Sequence, residues 1–219
     1  IQKYITPDHV EDFEYKGGIW LRSEGSFWSN RDMSGTIETD PESPNIWVLS
    51  PTGNYPNNHT AWVTSGCYNL SETSRNIVEF KYWSDCEPGA DGARFEYSVN
   101  EGETWQMLDD PEHNSLWNWT VDPVSALGSA GWSGINSWTQ AKAIIPVDAE
   151  SSDKVKFRIL FMSDAVNAQA QGFAFNDLQV YKAPHDIGIS QIDIPKDTCQ
   201  FFYPNQMNLW VKNYGYNAL

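Results

Sequence analysis

Basic residues are scarce. Across 219 residues, 14 Lys and Arg face 29 Asp and Glu, a formal net charge of −15. Nucleic-acid binding needs clustered cations to displace counterions from phosphates. No such cluster stands out, so neither nucleic acid nor an anionic membrane is expected as a partner. No apolar run approaches the roughly 20 residues of a spanning helix, so no membrane insertion is expected. Cysteine is sparse too. Cys67, Cys86 and Cys199 fit no zinc-ligand spacing. Cys67 and Cys86 flank one predicted strand and could pair if geometry allows, and the odd count leaves at least one thiol over or paired outside the segment. The four histidines, His9, His59, His113 and His185, are scattered and form no HExxH motif. There is no GxSxG elbow and no phosphate-binding loop. No stretch carries a convincing amphipathic helical period. The chain begins at Ile1 without a signal peptide, which says nothing about compartment.

What remains is rich in large rings: 11 Trp, 10 Tyr and 10 Phe. Aromatic side chains suit pleated, half-buried surfaces. Short alternating runs separated by Gly, Pro, Asn and Asp read as antiparallel strands joined by turns. The runs fall at 10–15, 46–49, 61–65, 77–84, 93–99, 103–108, 138–147, 154–162 and 172–181. In the run at 77–84, Val78, Phe80 and Tyr82 share one face and Glu79 and Lys81 the other. In 154–162, Val155, Phe157, Ile159 and Phe161 point inward. Residues 109–137 are the least regular part. A boundary falls near Ala183-Pro184, after which a new alternating pattern begins. The predicted fold is therefore all-β: a two-sheet antiparallel β-sandwich of jelly-roll type over 1–183, with a partial second β domain at 184–219. The first and last strands of the sandwich should lie close together.

Ser98-x-Asn100-x-Gly102-x-Thr104-Trp105 looks like an Asp-box, with Asn100 in the usual Asp position. The turn side chain can bind nearby backbone N–H groups, and Gly102 permits a positive φ. Trp105 should pack beneath the turn. The motif occurs once, without an internal repeat, so a propeller is not expected.

A wider set of landmarks runs in order: Phe13-Glu14, Trp47-Val48, Tyr55-Pro56-Asn57 and Ser65-Gly66-Cys67-Tyr68-Asn69-Leu70-Ser71. Phe80-Lys81-Tyr82-Trp83, Asp91-Gly92-Ala93, the hairpin, Phe157-Arg158-Ile159 and Gly172-Phe173-Ala174-Phe175-Asn176-Asp177-Leu178 follow. Over residues 10–181 this resembles the MAM-like (meprin/A5/mu-type) jelly-roll domain of secreted bacterial multidomain proteins. Residues 185–215 are similar to the opening of a CARDB-type Ig-like module. The resemblance implies a non-catalytic extracellular module that is secreted or displayed at the cell surface, often with a structural calcium ion. Glu14 and Asp177 are the matching carboxylates, with Asp12, Asp40 and Asp91 as weaker candidates.

Trp117, Trp119, Trp132 and Trp138 sit in or beside irregular polar sequence. Exposed indoles there would stack on sugar faces, and the competing reading packs them under a long loop. The expected partner is an extracellular glycan or protein, met by a monomeric module within a larger chain. An ancillary domain of a secreted metallopeptidase is the alternative. A glycoside hydrolase fragment would need a carboxylate pair, for which Asp109, Asp110 and Glu112 are available, though a turn explains them more simply. The sequons at Asn58, Asn69 and Asn118 would carry glycans in a eukaryotic secreted protein. For the bacterial source that the resemblance implies, they are chance products of Asn-rich loops.

Overall fold

The computed structural model describes residues 5, 7, 9–14, 19–34, 37, 44–72, 75–108, 115–120, 122–166, 169–183, 187–193 and 208–213. The chain divides into two compact units, Ile1–Lys182 and Ala183–Leu219. The first holds β1 (His9–Glu11), β2 (Leu21–Arg22), β3 (Trp28–Asp32), β4 (Asn45–Leu49), β5 (Thr60–Thr64), β6 (Asn76–Asp85) and β7 (Gly92–Ser98). It continues with β8 (Gln106–Met107), β9 (Ser115–Trp117), β10 (Pro123–Val124), β11 (Ser129–Ala130), β12 (Ile135–Ile144), β13 (Lys156–Met162) and β14 (Gly172–Lys182). One helical turn, α1 (Val147–Glu150), lies between β12 and β13. The second unit holds β15 (Ile187–Asp193) and β16 (Asn208–Asn213). No helix among the described residues is long and apolar enough to cross a membrane.

The first unit is a two-sheet antiparallel β-sandwich. Sheet one has the order β3-β4-β14-β6-β12-β9, and β1 also pairs with β14. Sheet two has the order β2-β5-β13-β7-β8. The expected closeness of the first and last strands is met: His9 faces Val180 and Glu11 faces Leu178. β4 meets the same flank of β14 further along, at Ala174 and Phe175. Between the two, at Asn176-Asp177, β14 slips register against β6, and Asp177 has a φ of 50°. Such a bulge re-aims a strand and lets one long strand serve two short partners.

Period-two patterning put the core where the sequence placed it. Val78, Phe80 and Tyr82 are buried, while Glu79 and Lys81 are half-buried on the opposite face. Val155, Phe157, Ile159 and Phe161 are all fully buried. Rings fill the space between the sheets. Phe80 of sheet one stacks on Phe95 of sheet two at 5.5 Å, and Phe95 meets Phe157 at the same distance. Aromatic pairs of this kind add to the burial of their area.

The hairpin after β7 has the expected mechanics. Ser98 Oγ accepts from the Asn100 and Gly102 N–H groups, and Asn100 Oδ1 accepts from the Thr104 N–H at 3.0 Å. Gly102 has a φ of 96°, and a Cβ there would lie 3.2 Å from the Trp105 ring beneath it.

Three local expectations need correction. The first strand is only His9–Glu11, because the backbone turns at Phe13 with a φ of 58°. Residues 19–34, which hold none of the alternating runs read from the sequence, include edge strands β2 and β3. Cys67 and Cys86 do not bridge each other. Tyr68, next to Cys67, pairs with Val155 at the start of β13, while Cys86 follows β6 at its other end. Ten strand residues span roughly 33 Å, whereas a disulfide needs Cα atoms within about 7 Å.

In the second unit β15 and β16 pair antiparallel, with a register shift between Ile189 and Gln191. Leu209, Trp210 and Val211 are consecutive and all exposed. The described strands of this unit form a two-stranded ribbon, which on its own buries neither face fully.

Candidate functional site

A cleft of about 380 Å³ opens where the loop between β6 and β7 meets the segment from Asn118 to Asn136. Its floor is built from Trp119 and Trp132, whose rings meet edge to face at 5.1 Å. Each indole is fixed by its own N–H. Trp119 donates to the Leu108 carbonyl at 2.6 Å and Trp132 to the Asn118 carbonyl at 3.2 Å. Both rings also pack edge-on against Phe80, so the floor is continuous with the sandwich core.

The walls are polar and mostly neutral. One comes from the β10–β11 hairpin, which follows Thr120 and Asp122; the Thr120 hydroxyl donates to the Gly131 carbonyl. The other comes from Pro88 and Gly89. That loop docks on one side chain: Ser133 Oγ shares its one proton between the Asp91 carbonyl at 2.6 Å and the Glu87 carbonyl at 3.0 Å, and accepts from the Gly89 N–H. Asn136 is held by donation to Ser84 Oγ and the Ser133 carbonyl. Gly92 is required beneath this wall, since a Cβ there would lie 2.3 Å from the Trp132 carbonyl oxygen.

The four tryptophans singled out from sequence separate into three settings. Trp119 and Trp132 come together in the cleft, but they are 6% and 4% exposed, so they are a floor and not free stacking platforms. Trp117 is 62% exposed on edge strand β9, opposite Lys142. Trp138 is half-buried against the cluster formed by Met33, Ile37, Ile46, Val48 and Ala174, and its N–H has no hydrogen-bond partner among the described residues. Neither Trp117 nor Trp138 lines the cleft. Asn118, Thr120, Asp122, Ser133 and Asn136 went unremarked in the sequence as ligand groups. Their one signal was the density of short polar residues around Trp119 and Trp132.

The cleft offers little for catalysis. Asp122 is its one carboxylate among the described residues. Glycoside hydrolysis ordinarily needs two carboxyl groups set about 5–9.5 Å apart across the bond. Asp109, Asp110 and Glu112, the three carboxylates from which a pair was considered, lie outside the described residues, as does His113.

The expected calcium ligands are engaged with protein groups. Glu14 accepts from the Asn45 backbone N–H at 2.8 Å and from the Asn45 side-chain amide. Asp12 Oδ1 accepts from the Glu14 N–H at 3.1 Å. Asp177 is 2.7 Å from the Lys81 ammonium, which supplies the positive charge that an ion would bring. Asp40 lies outside the described residues. Asp91 has a different setting. It is fully buried, and with Glu87 and Asp164 it forms the one group of three candidate metal-ligating side chains among the described residues, with one oxygen of each within 4.8 Å of the others. Glu87 and Asp164 were not singled out from sequence, because nothing in their spacing announces that two distant loops meet.

No family model matches this chain, and no curated protein matches it. Solved structures of similar shape exist. The K3 cleaved adhesin domain of Lys-gingipain from Porphyromonas gingivalis W83 is 12% identical, over 80% of this chain and 99% of that one, with a TM-score of 0.48. The C-terminal family 22 carbohydrate-binding module of Clostridium thermocellum Xyn10B is 10% identical, over 80% and 94%, at 0.46. Caldicellulosiruptor saccharolyticus CBM27-1, solved with mannohexaose, is 14% identical, over 80% and 96%, also at 0.46. These likenesses assign this chain neither a family nor a ligand.

Proposed function

We propose that the first unit is a non-catalytic, extracellular binding module whose ligand is a neutral glycan held in the cleft above Trp119 and Trp132. The observation that carries this reading is the make-up of the cleft: an indole floor beneath amide and hydroxyl walls, with a single carboxylate. Sugars present hydroxyl groups that both donate and accept; the Thr120 hydroxyl and the Asn136 amide, whose protons are spent on the protein, answer as acceptors, while Asn118 keeps one amide proton beyond its bond to the Gln140 carbonyl. Asp122 and the net charge of −15 disfavour an anionic polysaccharide. With both rings nearly buried, recognition comes from the walls, and the floor supplies shape. Secretion or surface display, and a place within a larger chain, belong to the same proposal.

The test is calorimetric titration and affinity electrophoresis against soluble xylan, mannan and β-glucan, with reducing-end release followed in parallel. Saturable binding to at least one polymer is expected, weakened about tenfold or more by Asn136→Ala and by Asp122→Ala, with no release of reducing ends. Absence of binding to all three, or affinity indifferent to both substitutions, would sink the reading. Clear turnover would replace it with the hydrolase reading.

A further inference from the structure

We infer that Glu87, Asp91 and Asp164 form a binding site for a hard divalent cation of the calcium class. The inference is independent of what the cleft binds. Asp91 is the anchor. Its side chain is wholly buried, and each of its oxygens takes one neutral donor: the Tyr55 hydroxyl gives to Oδ2 at 2.7 Å and the Asp164 N–H to Oδ1 at 2.8 Å. No Lys or Arg among the described residues pairs with it.

The second observation concerns Glu87. Its Oε2 exposes less than 1 Å² and has no hydrogen-bond partner among the described residues, and one oxygen of the same carboxylate lies within 4.8 Å of one from Asp91 and one from Asp164. A buried carboxylate oxygen without a donor is rare in folded proteins and asks for a proton, a water or an ion. Three acids around one point need more positive charge than a water provides. The donors are oxygens only, with no imidazole or thiolate among them. That chemistry selects calcium or magnesium over zinc. The irregular loops that present the donors favour calcium, which tolerates variable geometry, over magnesium, which demands an octahedron.

The position explains what such an ion would do. Tyr55 lies on the connection from β4 to β5, Glu87 and Asp91 on that from β6 to β7, and Asp164 on that from β13 to β14. Each of these connections carries the chain from one sheet to the other. A cation here would pin three crossovers at one point, at a place distinct from Glu14 and Asp177.

The experiment uses the full chain, stripped with EDTA and dialysed, then titrated with calcium chloride and separately with magnesium chloride. Thermal melts and elemental analysis accompany the titrations. One calcium per chain is expected, bound more tightly than magnesium and raising the melting temperature. Asp91→Asn is a poor probe, because that side chain also holds two loops together. Glu87→Gln is better, since Oε2 accepts nothing from the protein. It should fold and bind calcium at least tenfold more weakly, while Glu14→Gln binds as the wild type does. The inference is overturned if millimolar calcium neither binds nor shifts the melt, if Glu87→Gln leaves affinity unchanged, or if Glu14→Gln is the variant that loses the ion. Stability that rises on acidification without any bound ion would assign the cluster a shared proton instead.

Discussion

Removing one oxygen, in Tyr55→Phe, is the most economical test of how the crossover loops hold together. Tyr55 is 4% exposed, and its hydroxyl does two things. It donates to Asp91 Oδ2 at 2.7 Å and accepts from the Glu87 N–H at 3.1 Å. Burial pushes the hydroxyl far above its ordinary range, so it remains a donor throughout the working pH range. Phenylalanine preserves the ring and its edge-on contact with Phe161 at 5.1 Å. The loss is therefore a charge-assisted bond, about 1.5–3 kcal/mol, together with an orphaned N–H at about 1 kcal/mol. We expect a destabilisation of about 3 kcal/mol, which for a unit of this size lowers Tm by roughly 6–12 °C. The same deletion at Tyr97 is the control, because its hydroxyl reaches the exposed Asp148 at 3.2–3.3 Å and should be worth under about 1 kcal/mol. Urea unfolding followed by tryptophan fluorescence reads both. If the two variants agree within about 1 kcal/mol, the Tyr55 hydroxyl is not a tie between the loops.

Three further perturbations follow from the same packing. Glu96 is buried between Arg94 and Arg158, and Arg158 also lies 4.3 Å over the Trp105 ring. Glu96→Gln leaves two guanidinium groups facing a neutral amide, and urea titration should show a loss of about 3 kcal/mol or more. Gly92→Ala forces β7 away from Trp132, where Ala93 and Trp132 exchange backbone bonds at 2.8–3.0 Å. A destabilisation of about 2–3 kcal/mol and altered tryptophan emission are expected, against a change within about 0.5 kcal/mol for Gly53→Ala, which meets nothing within 4 Å. Desolvation lowers the His59 pKa below its ordinary 6.5, and its buried Nε2 has no hydrogen-bond partner among the described residues. The unfolded chain therefore takes up the proton first. The His59 contribution is full above pH 6.5 and is lost as pH falls toward the folded-state pKa. The urea midpoint should fall further between pH 7 and pH 5 in the wild type than in His59→Gln, and equal falls would refute the assignment.

The central strands were legible because both of their faces carry information. In β6 and β13 every second residue is large and apolar, and the turns around them use residues that break pairing. The Ser98–Trp105 hairpin was legible because its bonds are all local. Edge strands were not. β2 has two residues, both exposed, and β3 buries only Trp28 of its five. Trp119 and Trp132 were ambiguous for a different reason: polar neighbours surround them in the sequence, while the rings that bury them come from Phe80 and Phe95. The Glu87–Asp91–Asp164 cluster was the least legible feature. Asp164 and Asp91 are bonded across 73 residues, and a contact of that range leaves no trace in local spacing.

The central position of β13 and β14 has a consequence for how the chain comes to be folded at all. β14 separates β4 from β6 in sheet one, and β13 separates β5 from β7 in sheet two. Both are the last strands of their sheets to be synthesised. Until residues 156–182 have left the ribosome, each sheet is two fragments with a vacant slot between them, and four apolar strand edges stand open. Neither half can close early, so contact formation is dominated by long-range pairing, and folding should be slow and largely post-translational. A chain interrupted before Lys156 would therefore be an aggregation hazard and not a smaller working module.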